Sequence, residues 1–323
     1  MTNDKNFSNE PLHRFLEGLA FGEARRLNDL TLVPVLSGTA HSPVYLDLEG
    51  ALRAGLASVT EISTSGSVPE LSVNNSGQTD LLILDGEELI GAKQNRTVNV
   101  TIIIAAGMKT TIPVTCVERG RWHYQTQEFS SGDAHLYPSL RSERAADVAA
   151  NLRVSQSRAA DQGAVWDNIA DKSLRMGVNS QTDAMQDIYS QKLKDLDRLN
   201  EVFAWQETQC GFAAFIRGGF AGADIFGTPQ FCSVKLSKLV RGFYLDSLDP
   251  AVAFPEISVP QIIRDIQTAR HEPFESPGKG VEVRFENNQL HGAWTADGAA
   301  IPHLAIFPRL RRPSRRGWLG LVY

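Results

Sequence analysis

The residues best suited to do chemistry crowd into two short stretches. The first runs Asp85-Gly86-Glu87-Glu88-Leu89-Ile90-Gly91-Ala92-Lys93-Gln94-Asn95-Arg96, and the second runs Cys116-Val117-Glu118-Arg119-Gly120-Arg121-Trp122-His123-Tyr124. Between them they supply carboxylates, cations, amides and an aromatic platform, which is the equipment of a site for a polar ligand. If Lys93 to Thr97 were extended, Lys93 and Asn95 would face one way and Gln94 and Arg96 the other. A turn, which Gly91-Ala92 permits, would instead present backbone amides together with Lys93 and Arg96, a geometry suited to an anion such as a diphosphate. Glu87 and Glu88 are adjacent and diverge on a strand, so at most one can join Glu118. Such a separated pair of carboxylates can act as general acid and base on a glycosidic bond, or can bind a metal. Arg121 offers an anion clamp or an ion-pair partner for Glu118, and Trp122 a face for a purine or filling for the core edge. The plain alternative is that both clusters form solvated turns and internal hydrogen-bond networks.

Other chemistry is thinner. His123, His135 and His303 sit in polar context, but none lies four residues from another histidine or beside a cysteine ligand, so no metal or cofactor is expected. Cys116 falls in the apolar pattern Ile112-Pro113-Val114-Thr115-Cys116-Val117, which points to a buried structural thiol rather than a nucleophile. The stretch Arg217-Gly218-Gly219-Phe220-Ala221-Gly222 lacks the Lys-Ser or Lys-Thr of a phosphate-binding loop, and a hairpin turn accounts for its glycines. Trp166 is expected to anchor a helix in the core.

These clusters need elements to hold them. Apolar runs predict strands at 30–36, 59–62, 70–74, 81–84, 88–91, 98–104 and 110–117, with turns at Gly66, Asn74-Asn75, Asp85-Gly86 and Ala106-Gly107. Residues 45–56 have helical spacing behind Ser42-Pro43. The links among the strands are too short for helical crossovers, so an antiparallel sandwich or barrel-like layer is expected. Residues 139–205 read as helices interrupted near Ser155, Gly177 and Ser180. A hairpin follows at 211–226, then helices at 231–248 and 259–269, then strands at 281–286, 290–295 and 303–307. The fold class is thus α+β, with a mostly antiparallel β layer drawn from both ends of the chain around a helical middle. The expected division is a polar lead-in at 1–29, one domain at 30–308 with a helical insertion at about 139–205, and a basic tail at 309–323.

The 323 residues, 42% of them hydrophobic, are enough for one large core. A net charge of -5 and a pI near 5.8 argue against a nucleic-acid binder. Cys116, Cys210 and Cys232 match neither a disulfide framework nor a zinc site, which suits a reducing, cytoplasmic setting. The polar Met1-Thr2-Asn3-Asp4-Lys5-Asn6 opening and the absence of an apolar run of about 20 residues predict no export and no membrane span. Nothing in the sequence sets an oligomeric state.

The run Gly86 to Arg96, followed by Ile112 to Trp122, resembles a family of prokaryotic proteins named for their association with ADP-ribosylglycohydrolases and the rhodanese-phosphatase superfamily. Gln162 with Val165-Trp166, the stretch 222–226 and the stretch 303–307 are also similar to it, so the resemblance spans about Leu30 to Pro308; the first two motifs are specific. The resemblance implies a role with ADP-ribose or a related NAD-derived nucleotide, and suggests Glu87, Glu88, Lys93, Gln94, Asn95, Arg96, Glu118, Arg121 and Trp122 as the site. In that reading Lys93 and Arg96 or Arg121 meet a diphosphate, Trp122 stacks on adenine, and one of the three glutamates contacts ribose or acts as acid/base. A second reading is a non-catalytic binding or assembly module whose motifs form an internal network. A third is a metal-dependent hydrolase using Glu118 and His303.

Overall fold

The computed structural model describes residues 8–37, 43–63 and 69–310. In chain order the first part holds α1 (Glu10–Glu17), β1 (Leu19–Phe21), β2 (Arg25–Leu27), β3 (Leu30–Ser37), β4 (Leu46–Asp47), α2 (Leu48–Arg53), β5 (Ala57–Glu61) and β6 (Glu70–Asn75). Next come β7 (Leu81–Ile83), β8 (Glu87–Gly91), β9 (Arg96–Val98), β10 (Ile102–Ile104), β11 (Lys109–Cys116) and β12 (Phe129–His135). The helical middle is α3 (Pro138–Ser155), α4 (Gln162–Arg175), α5 (Met185–Lys192) and α6 (Leu196–Val202). The rest is β13 (Gln209–Ile216), β14 (Gly219–Phe226), α7 (Pro229–Ser247), α8 (Val259–Thr268), β15 (Arg270–Glu275), β16 (Val281–Glu286), β17 (Leu290–Asp297) and β18 (Ala300–Pro308).

The fold is α+β, as expected, and strands from both ends do share a sheet. One large antiparallel sheet follows the order β1-β3-β13-β14-β18-β17-β16-β15, with β2 also on β3. Its centre is the β13–β14 hairpin, whose turn residues Arg217 (φ 50°) and Gly218 (φ 85°) both take positive φ, the backbone that matches strand twist in two-residue hairpins. A second sheet, β12-β8-β9-β11-β6-β5, curls until a bridge between Thr60 and Glu128 brings its two edges together. Its inner face is apolar: Val59, Leu71, Val73, Leu89, Val98, Ile112, Val114 and Phe129 all belong to one buried cluster. A small sheet, β10-β7-β4, lies between, and its β4–β7 pair is the parallel exception.

Local chemistry sets the helix starts. Asp47 caps α2 by accepting from the Gly50 amide, Asp161 caps α4 through Ala164, and Thr228 caps α7 through Phe231 with Pro229 in the first turn. The helices at 139–205 appear as α3 to α6 and break where Ser155, Gly177 and Ser180 stand.

Several elements differ from expectation. The run 98–104 is two strands because its ends pair with different partners, β9 with β11 and β10 with β7; between them Asn99 Oδ1 accepts from Thr115 Oγ1 at 2.7 Å, and Thr101 Oγ1 lies 2.9 Å from His303 Nδ1. Residues 129–135 form β12 although Ser, Gly and Asp hide any alternation, since the strand is held by pairing with β8. β15 forms at the sheet edge, where Pro273 is tolerated. The stretch read as a polar lead-in carries α1, which buries Leu12 and Leu16 four residues apart. Gly66, Ser42, Met1 to Asn6 and the tail beyond Leu310 lie outside the described residues. Among the described residues no helix is long and apolar enough to cross a membrane.

Candidate functional site

The two polar clusters meet at one rim of the curled sheet. β8 ends at Gly91, β9 starts at Arg96, β11 ends at Cys116, β12 starts at Phe129 and β5 ends at Glu61, so antiparallel pairing gathers all five positions at the same edge. The chain turns at 92–95, as the Gly91-Ala92 pair permits. Gly91 has φ 130°, and a Cβ there would stand 2.5 Å from Thr126 Oγ1 and 2.8 Å from the Glu128 carbonyl, so only glycine fits.

The turn does not expose its amides as an anion cradle. Gly91 N–H donates to Asn95 Oδ1 (3.3 Å), Ala92 N–H to Thr126 Oγ1 (3.1 Å) and Asn95 N–H to Glu118 Oε2 (3.2 Å). Arg121 is drawn into the same lattice. Its Nε donates to Glu118 Oε2 at 2.8 Å, its Nη1 to the Ala92 carbonyl at 2.8 Å and its Nη2 to Asn95 Oδ1 at 2.9 Å. Thr182 Oγ1 donates to Glu118 Oε1, and the Glu118–Ala184 bridge and Met185 N–H on the Val117 carbonyl tie the loop to the helical middle. Burial alone would raise the Glu118 carboxyl, but the Arg121 and Asn95 bonds overcome it and hold the group below the usual glutamate range. Glu118, Arg121 and Asn95 are therefore brought together as one buried lock between the turn and the second motif.

Lys93, Arg96 and Trp122 form the other half. Trp122 and Tyr124 are 50% and 46% exposed, unusual for large rings. Lys93 Nζ lies 5.5 Å from the Trp122 ring centre and 5.1 Å from that of Tyr124, and Arg96 Cζ lies 5.8 Å from Trp122. Arg96 is fully buried beneath this platform. Its Nη1 donates to Gln94 Oε1 at 2.9 Å, while Nε and Nη2 have no hydrogen-bond partner among the described residues. The nearest carboxylate is Glu61, with Oε1 3.8 Å from Arg96 Nη2 and neither of its oxygens hydrogen-bonded among the described residues. Cys116 sits below, its thiol pushed up to about 11 by burial, which keeps it protonated and unreactive at neutral pH.

The two remaining glutamates stand apart. Glu87 is buried with Lys235, whose Nζ reaches Glu87 Oε1 at 2.7 Å and Asp47 at 3.4 Å; the two carboxylates outweigh the burial that would lower the lysine and raise it instead. Glu88 pairs across the sheet with Thr97, and Leu89 with Arg96, so Glu88 and Arg96 point to opposite faces. Glu88 packs on Gly132, where any Cβ would run into its carboxylate. Burial pushes Glu88 up to about 8, with Lys238 and the Ala134 amide only partly offsetting it. Its folded pKa thus lies above the unfolded value near 4.3, so the stability tied to its proton is complete below about pH 4 and is lost as pH rises towards 8. Glu88→Gln should therefore gain stability over the wild type progressively between those values; urea midpoints at pH 4.5, 6.5 and 8.5 that differ by a constant amount would refute this.

Glu118 and His303 do not form a metal pair. Both imidazole nitrogens of His303 are engaged, Nδ1 with Thr101 and Nε2 with Asp224 at 3.0 Å. Among the described residues no cluster of three or more histidine, cysteine, aspartate or glutamate side chains is arranged for a metal ion. Trp166, expected in the core, is half-buried with Arg119 packed on its ring at 5.7 Å.

Some contacts that shape this region join residues far apart in the sequence. Gln162 clamps the end of β11 from α4, its Oε1 accepting from Cys116 N–H and its Nε2 donating to the Cys116 carbonyl, so a side-chain amide replaces a neighbouring strand. Asp85, just before β8, is joined through Arg141 to Asp224 on β14.

The motif residues fall into place along the whole domain: Glu87 to Trp122 on the curled sheet, Gln162 behind it, and Asp224 and His303 on the large sheet. Residues 18–307 match the profile of the ARG and rhodanese-phosphatase-superfamily-associated protein domain. The chain belongs to that family. No curated protein and no solved structure matches it. The family's name places this ARG and rhodanese-phosphatase-superfamily-associated chain beside those two protein groups.

Proposed function

We propose that this protein binds ADP-ribose or a related NAD-derived nucleotide at the rim of the curled sheet. The observation that carries the reading is the exposed Trp122–Lys93–Tyr124 platform above a buried arginine, two of whose donor nitrogens have no hydrogen-bond partner among the described residues. The rings supply faces on which a base stacks, Lys93 supplies positive charge for a diphosphate, and Gln94 steers the Arg96 guanidinium from below. The family's association with ARG proteins agrees with such a ligand.

The second reading, a non-catalytic module with an internal network, is favoured by a different observation: the closed Glu118–Arg121–Asn95 lattice. The two readings divide the motif between them. One half holds the loop, and the other half is held in place by it. Binding takes place in the cytoplasm.

Calorimetric titration with ADP-ribose, ADP and AMP tests it. Trp122→Ala should weaken ADP-ribose about tenfold, since stacking on an aromatic ring is worth ~1–3 kcal/mol per base. Because Trp122 is half exposed, the variant should melt close to the wild type. No heat with any of the three compounds, or unchanged affinity in a folded Trp122→Ala, would sink the proposal.

A further inference from the structure

Glu61 lies outside both motifs, yet it is the residue that faces Arg96. Its side chain is 4% exposed and that of Arg96 is 0% exposed, and they stand 3.8 Å apart at closest nitrogen–oxygen approach, beyond hydrogen-bond reach. Four polar atoms are left without a hydrogen-bond partner among the described residues: Glu61 Oε1 and Oε2, and Arg96 Nε and Nη2. Buried polar atoms without hydrogen bonds are costly, and natural structures satisfy them with an ordered water, an ion or a ligand. The surrounding inner face is apolar, with Leu89 and Val98 among its residues, and on the rim side the Trp122 ring centre stands 5.8 Å from Arg96 Cζ.

The chemistry of the four atoms selects the guest. Arg96 Nε and Nη2 are the side-by-side donor edge of the guanidinium, which by itself would suit a phosphate or carboxylate. The Glu61 carboxylate beside it repels an anion and demands donors instead. A vicinal diol answers both requirements, because each hydroxyl donates to a carboxylate oxygen and accepts from a guanidinium N–H. We infer that Glu61 and Arg96 form the sugar-reading floor of the rim site and take the cis-diol of a ribose. This rests on the nucleotide reading above and adds the part of the ligand that reaches the floor. Lys93, on the platform, is then the cation that meets the diphosphate.

ADP-ribose carries two candidate diols, one on the adenosine and one on the terminal sugar. Titrating ADP-ribose and ADP into the wild type and into Glu61→Gln separates them. The floor predicts at least tenfold weaker ADP-ribose binding in Glu61→Gln. If ADP weakens equally, the adenosine diol occupies the floor; if ADP is unchanged, the terminal ribose does. Glu61→Gln that binds ADP-ribose within twofold of the wild type overturns the inference while leaving the rim site standing. A wild type that binds neither compound overturns both. An arm independent of the variant's folding uses ADP-ribose cleaved with periodate and reduced with borohydride, which loses its diols but keeps base and diphosphate. The wild type should bind it at least tenfold more weakly than the intact compound, and equal affinity would remove the diol floor.

Discussion

Arg141→Met should destabilise the protein by ~3–5 kcal/mol at pH 7, the cost of removing one partner from a buried ion cluster. Arg141 is 1% exposed and divides its guanidinium between two sheets. Nε and Nη2 hold Asp85 at 2.8 Å each, and Nη1 and Nη2 hold Asp224 at 2.8 and 2.7 Å. Without it two carboxylates stay buried with only Thr101, His303 and, for Asp85, the charge of Arg144 to offset their desolvation. Burial alone would raise both aspartates, but Arg141 overrides it, holding Asp224 down at about 2 and Asp85 lower still. Folded values below the unfolded value near 3.9 mean that their stabilisation is present above about pH 4 and is lost as pH falls towards 2. The variant should reverse that slope. With the guanidinium gone, desolvation dominates, protonation relieves it, and Arg141→Met should become more stable on acidification from pH 7 to pH 4.5. Urea unfolding at the two pH values measures this directly. A loss under 1 kcal/mol, or a wild-type slope, would show that the cluster contributes little to holding the sheets together.

That cluster also shows where reading by sequence stops. Alternating apolar runs made most strands legible, because burial on one face writes itself into every second residue. The helical middle and the 211–226 hairpin were legible for similar reasons of spacing and turn chemistry. Strands β12 and β15 were not, since Ser130, Ser131, Gly132 and Pro273 carry no such pattern and these strands exist through their partners. The polar motifs were visible as clusters, but their division was hidden. Lys93, Asn95, Arg96, Glu118 and Arg121 are all charged or amide residues within a short span, and only the folded turn decides that Asn95 joins Arg121 while Arg96 goes under Trp122. Glu61 was invisible for a further reason. In a strand it reads as one more solvent-facing carboxylate, and its approach to Arg96 arises only when the sheet curls and Thr60 meets Glu128. The Asp85–Arg141–Asp224 link joins residues 56 and 83 positions apart, a separation that no local pattern reports.

The division within the motif assigns Arg121 to the frame behind the rim site, not to the surface that meets the ligand. Arg121→Ala should unfold the lock and cost ~3–5 kcal/mol, because it strands Glu118 among buried groups and releases the carbonyls of Ala92 and His123. Glu118→Gln should cost less, since an amide oxygen in place of Oε2 still accepts from the Asn95 N–H, and the amide NH2 in place of Oε1 can donate to Thr182 Oγ1 once that hydroxyl turns. Removing both charges together, as Arg121→Met with Glu118→Leu, should cost less than the sum of the single changes by ~1–3 kcal/mol, the coupling expected of residues in direct contact. Nucleotide affinity in Arg121→Ala should fall together with stability, because the loop that carries Trp122 is anchored through the Arg121 bond to the His123 carbonyl. The contrary result is equally definite. If Arg121→Ala melts like the wild type yet loses ADP-ribose binding, Arg121 touches the ligand, and the lock belongs to the binding surface rather than to the frame behind it. Thermal denaturation and titration on the same preparations decide between these, since a frame residue moves both readouts and a contact residue moves only one.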